Sequence, residues 1–133
     1  MRYLLTVVIL SLLPLWAGAA DNNAMLDHIN RHILAYNANN AEAYDEFFHP
    51  DIEVYNYRQS VITAGRSALI QSTQRTFKEH SPGTVLLNSM VLKDKVVTLE
   101  RASFTLSGIR RTTELVKIYH FQDGLIRRMT VMD

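Results

Sequence analysis

The sequence predicts an α+β domain. After residue 20, helical periodicity occupies the first part of the chain, and runs rich in Val, Ile, Thr, Phe and Tyr fill the remainder. Turn signals at Lys93-Asp94-Lys95, Ser107-Gly108 and Gln122-Asp123-Gly124 cut those runs into strands of an antiparallel meander. The 133 residues suit one domain, and neither a repeat nor a linker composition divides them.

The first twenty residues read as a secretory signal. Met1-Arg2 is a short positive start, Tyr3 to Trp16 is an almost wholly apolar run, and Ala17-Gly18-Ala19-Ala20 offers small residues for a signal peptidase. The run is too short for a spanning helix, which needs roughly 20 apolar residues, and Pro14 interrupts it. Residues 1-20 are therefore expected to be cleaved. Residues 21-133 then form the domain, exported to the periplasm or secreted, with no membrane contact after cleavage. Without Arg2, 13 basic residues face 13 acidic ones, which argues against nucleic acid as a partner. Cysteine is absent, so neither a disulfide, a lipid anchor nor a thiol nucleophile enters the reading.

The elements follow in order. Met25, Leu26, Ile29, Ile33 and Tyr36 form one apolar stripe and predict a helix over 21-39. The asparagine-rich break at 37-40 ends it, and Asn40 can cap a short helix over 41-48. His49-Pro50-Asp51 stops that helix, because proline disfavours helical geometry in the residue before it. Residues 52-57 alternate as a strand, and 58-64 form a loop or short extended stretch. Gly65-Arg66-Ser67 opens a third helix running to about His80, which Ser81-Pro82-Gly83 terminates. Strands over 85-92, 96-106, 110-121 and 125-131 complete the chain.

Four segments carry a family likeness. They are Ala35-Tyr36-Asn37-Ala38-Asn39-Asn40-Ala41-Glu42-Ala43, Phe48-His49-Pro50-Asp51-Ile52-Glu53-Val54, Gly65-Arg66-Ser67-Ala68-Leu69-Ile70 and Tyr119-His120-Phe121-Gln122-Asp123-Gly124-Leu125-Ile126. In that order and spacing they resemble SnoaL-like proteins of the nuclear transport factor 2-like superfamily, which also holds the ketosteroid isomerases. The resemblance implies a cone-shaped, curved antiparallel sheet wrapped around three N-terminal helices, the cystatin-like arrangement, with a pocket inside. It further implies a homodimer formed through the outer face of the sheet.

The ketosteroid isomerases use a carboxylate base and an oxyanion site of a tyrosine and a protonated aspartate. Carried over position by position, the tyrosine falls on His32, the base on Asn56 and the protonated aspartate on Lys117. None of the three residue types is retained, and an asparagine cannot take up the proton. A different catalytic set remains conceivable, with His32 as acid or base, Lys117 stabilising an anion, and Asn56 and Tyr36 orienting a carbonyl or hydroxyl. The alternative is that these residues only line a polar-dotted cavity. Alternation places Leu115, Tyr119 and Phe121 on the same strand face as Lys117. Together with Tyr36 and Val54 they make the expected ligand contacts. Glu100 and Glu114 are both candidate partners for Lys117.

Other features read blandly. His28 and His32 are one helical turn apart but lack a third ligand, so no metal is expected and the pair reads as a solvent edge. Arg110-Arg111 and Arg127-Arg128 read as a solvated face balanced by Glu114, and Met90, Met129 and Met132 as core or cavity filler. Phosphate-loop, nucleophile-elbow and redox motifs are lacking, and no cofactor is expected. The sequence therefore points to a binder of a small, largely apolar molecule. Two alternatives stand beside it: an isomerase, dehydratase or cyclase acting on such a compound, and a dimeric protein-association module.

Overall fold

The computed structural model describes residues 17–133. The expected signal segment lies outside the described residues except for its last four, which open the first helix. The elements are α1 (Ala17–Asn37), α2 (Ala41–Asp45), β1 (Phe48–Asn56), β2 (Val61–Ala64), α3 (Arg66–His80), β3 (Gly83–Leu92), β4 (Lys95–Leu106), β5 (Ile109–Gln122) and β6 (Leu125–Met132). One six-stranded sheet runs β2-β1-β6-β5-β4-β3. The meander β3 to β6 is antiparallel, whereas β1 joins β6 in parallel and thereby brings the N-terminal half onto the sheet. Among the described residues no helix is long and apolar enough to cross a membrane.

The stripe on α1 does what its spacing predicts, burying Ile29 and Ile33 against Phe48, Ile52, Val96, Tyr119, Ile126 and Met129 of the sheet. The C-terminal end of α1 is tied down by its last residue. Asn37 accepts from Thr84 N at 2.7 Å and donates to Thr84 O at 2.9 Å, as a neighbouring strand would. Asn40 caps α2 as expected, its Oδ1 accepting from Ala43 N at 3.1 Å. The β5–β6 hairpin turns on Asp123 and Gly124, both at positive φ (55° and 75°), which the right-handed twist of paired strands favours.

Most element bounds shift by a few residues, and two differences have a structural cause. The second helix ends at Asp45 rather than residue 48, because Phe47 and Phe48 leave it to pack under α1. Pro50 lies inside β1 rather than ending a helix. It falls where the β1–β6 register slips between Phe48 and Glu53, so its missing N–H leaves no ladder bond unmade. The stretch over 58–64, expected as a loop or a short extended segment, contains an edge strand, β2.

Candidate functional site

Strand register assembles the site. Val54 pairs with Met129 and Met129 with Tyr119. One step further along, Asn56, Val131, Lys117 and Thr98 form a row across four strands. Residues in register share a face, so this row and its neighbours Val96, Glu100, Leu115 and Tyr119 all turn toward the helices.

Glu100 is the centre of that face and is wholly buried. Its Oε1 accepts from Thr84 Oγ1 at 3.1 Å and Lys117 Nζ at 3.2 Å. Its Oε2 accepts from Tyr119 Oη at 2.9 Å and Thr98 Oγ1 at 2.5 Å. Burial pushes the Glu100 carboxyl pKa up, but the Lys117 ammonium and the hydroxyls of Thr98 and Tyr119 outweigh it, and the group is held below its ordinary value as a carboxylate. Glu100 is therefore the partner of Lys117, and Glu114 lies on the opposite face with Arg101 at 2.9 Å. Sequence reasoning named Glu100 only as one of two candidate partners for Lys117 and left its face open. The Val96-x-Thr98-x-Glu100 alternation was the available signal, but alternation gives two faces without saying which is inner.

Lys117 keeps 16% of its side chain exposed, and its Nζ lies 5.9 Å from the Tyr36 ring centroid. Tyr36 is half-buried, with Tyr44 and Phe77 against its ring at 5.5 and 5.3 Å. Leu115 is half-buried two residues before Lys117 on the same strand face. Tyr36, Lys117 and Leu115 are thus the expected contacts that keep accessible surface on the inner face.

His32 sits deeper. Only 2% exposed, it stacks on Tyr44 at 5.2 Å and meets Phe48 and Tyr119 edge-on at 5.8 and 5.5 Å. Its Nδ1 donates to the Ile29 carbonyl at 3.3 Å. Burial first, and then the nearby Lys117 charge, lower its pKa to about 3, so the ring is neutral at ordinary pH. His28 is also buried rather than a solvent edge. Its Nε2 donates to Phe47 O at 2.9 Å, and its ring meets Phe121 at 5.3 Å. Among the described residues no group of three His, Asp or Glu could hold a metal.

The remaining expected contacts separate. Asn56 shares the Lys117 row, but its Oδ1 accepts from Arg58 N and Ser60 N, each at 3.0 Å, and closes the β1–β2 turn. Asn56→Ala is expected to cost about 1–2 kcal/mol, read as a shift in urea midpoint, with Asn56→Asp nearly neutral because a carboxylate keeps both acceptor bonds. Val54 and Tyr119 are packed into the core. Phe121 walls a separate cavity of about 450 Å³ between α1 and two hairpin tips, with Met25, Lys93, Asp94 and Asp123.

Two further expectations change. Met90 is 60% exposed on the outer face of the sheet rather than filling the core, since it pairs with outward-facing Val97. Arg110-Arg111 and Arg127-Arg128 do not make one solvated face balanced by Glu114, because β6 pairs only with Val116–Gln122 of β5 and Glu114 pairs with Arg101.

A curved sheet closed over N-terminal helices, with charged and phenolic groups on its inner face, defines a cone-type α+β domain. The model for the SnoaL-like domain matches residues 29–129, and the chain belongs to that family. Three solved structures are similar to it. An uncharacterized cystatin fold protein from Novosphingobium aromaticivorans is 18% identical with a TM-score of 0.74, over 81% of this chain and 97% of that one. An LEH-like epoxide hydrolase from M. tuberculosis is 12% identical with a TM-score of 0.77, over 84% of each chain. A candidate SnoaL-like polyketide cyclase from Jannaschia Sp. CCS1 is 16% identical with a TM-score of 0.71, over 83% of this chain and 85% of that one. No curated protein matches significantly.

Proposed function

We propose that this domain binds a small, largely apolar molecule at the inner face of its sheet, with Lys117 donating to an oxygen of the ligand. The buried Glu100–Lys117 pair carries the reading. A buried ion pair is commonly no more stabilising than hydrocarbon of the same volume, so stability alone gives little reason for one here. Perturbed charged groups inside a concave fold mark functional sites more often than chance. An ammonium has three N–H donors, and Glu100 Oε1 takes one. The others, beside the Tyr36 ring and Leu115, suit a carbonyl, hydroxyl or carboxylate on an otherwise apolar ligand. His32 and Asn56 serve as positioning residues, the first filling the aromatic layer beneath the site and the second fixing the adjoining turn.

Thermal unfolding with a panel of aromatic ketones and medium-chain fatty acids tests this. A ligand at 100 times its Kd is expected to raise Tm by about 10 °C. The folded double variant Glu100→Gln/Lys117→Met is expected to lose that response. A panel that leaves Tm unmoved, or a double variant that responds as the native protein does, would overturn the reading.

A catalytic version rests on the same lysine: its ammonium, in a water-poor site, could stabilise an enolate or alkoxide developing on a bound ligand. Two further proposals complete the picture. Residues 1-20 act as a cleaved export signal, which their composition supports. Two copies pair through the outer sheet face, where Met90 and Leu99 are exposed beside Val97, Val116 and Ile118.

A further inference from the structure

We propose that the outer face of the sheet carries a second site, which takes a small carboxylate on the side edge of Arg128. The guanidinium carbon of Arg128 sits over the Tyr55 ring, 3.8 Å from its centroid, a cation–π contact that holds the group against the sheet. Its Nη2 donates to Gln59 Oε1 at 2.5 Å, while its Nε is buried with no hydrogen-bond partner among the described residues. Nη2 and Nε form one edge of the fork, the edge that a carboxylate grips with two parallel bonds. Gln59 supplies one neutral oxygen where two charged ones would fit, from an exposed turn position at φ 61°.

The surrounding acids are already engaged. Glu53 accepts from the Tyr55 hydroxyl and pairs with Arg127 at 3.6 Å, and Asp94 pairs with Lys95 at 3.1 Å. Arg128 makes no ion pair among the described residues, which leaves it the uncompensated charge of the group. A cavity of about 340 Å³ opens beside it, walled by Glu53, Tyr55, Asp94, His120, Arg127 and Arg128. Its walls come from β1, β6, the end of β5 and the β3–β4 turn, and they include none of Met90, Val97, Leu99, Val116 or Ile118, so it is distinct from the surface assigned above to pairing. His120 reports on the site. Burial, then the Lys95 and Arg128 charges, lower its pKa, against a smaller opposing effect of Asp94. A carboxylate seated on Arg128 reverses part of that effect.

The test is an NMR titration of the His120 ring in sodium acetate and in sodium chloride at equal ionic strength. Acetate is expected to raise the His120 midpoint by roughly half a pH unit, an electrostatic shift of ordinary size, and chloride is not. Arg128→Lys keeps the charge but loses the two-pronged edge, and should abolish the response. Gln59→Ala should retain it or tighten binding several-fold. Gln59→Glu places a tethered carboxylate on the edge, and should raise Tm by a few degrees and remove the acetate response. Equal shifts in acetate and chloride, or an unchanged response in Arg128→Lys, would overturn the proposal. So would a response that appears only when the protein is diluted to monomers, since a second copy would then be filling the edge.

Discussion

Lys117→Met is expected to destabilise the domain by about 3–5 kcal/mol, the cost of leaving a buried charge unpaired. Glu100 is wholly buried, and the three hydroxyls of Thr84, Thr98 and Tyr119 solvate its carboxylate without neutralising it. The double variant Glu100→Gln/Lys117→Met should recover most of the loss, because an uncharged amide can still accept from Thr98 and Tyr119 and donate to the Thr84 hydroxyl. Urea midpoints of the two single variants and the double, combined in a cycle, give the coupling directly. The pH dependence adds a second readout. In the native protein the Glu100 pKa is depressed, so its contribution is present above the ordinary carboxylate range and fades as pH falls through the folded value. Without Lys117, burial dominates and the folded pKa moves above the unfolded one. The penalty of the single variant should then shrink on acidification toward pH 4. A penalty under 1 kcal/mol that does not change with pH would show that the pair is solvated and not the centre of the site.

Acid should weaken the fold through His32. Its folded pKa of about 3 lies below the unfolded value of 6.5, so between those limits the unfolded chain binds the extra proton. Stability is therefore complete above about pH 6.5 and falls steadily as pH drops toward 3. The share of His32 at pH 5 is a loss of about 2 kcal/mol relative to pH 7. His28 and His120 are shifted in the same direction and add to the slope. The variant His32→Phe keeps a ring of similar shape among Tyr44, Phe48 and Tyr119, and should remove the larger share of the pH 5 loss while unfolding cooperatively at pH 7. Equal losses in the two proteins would mean that the His32 ring reaches water, and its place in the packed layer would have to be abandoned.

Several features were legible without coordinates because they depend on neighbours in sequence. The α1 stripe, the Asn40 cap, the start of α3 and the Asp123-Gly124 turn are all set by residues within a turn or a hairpin of one another. The same locality let Lys117 be placed on a strand face with Leu115 and Tyr119. Site chemistry was less legible. His32 seemed able to reach a cavity from the edge of a stripe, but the aromatic rings that enclose it come from Tyr44, Phe47, Phe48 and Tyr119, up to 87 residues away. Asn56 falls on the Lys117 row through the register of β1, β6 and β5, yet its oxygen is committed to a turn that spacing did not reveal.

The sequence by itself determined the α+β class, the meander, the family likeness and the absence of the isomerase residue types, since these follow from residue identity and short-range periodicity. Only the tertiary structure decided which face Glu100 takes, that it rather than Glu114 holds Lys117, and that Arg128 lies on Tyr55 without an ion pair among the described residues. The reason is that register between strands distant in sequence, together with the parallel union of β1 and β6, chooses which of two alternating faces is enclosed, and burial then sets the charge state of every group on it.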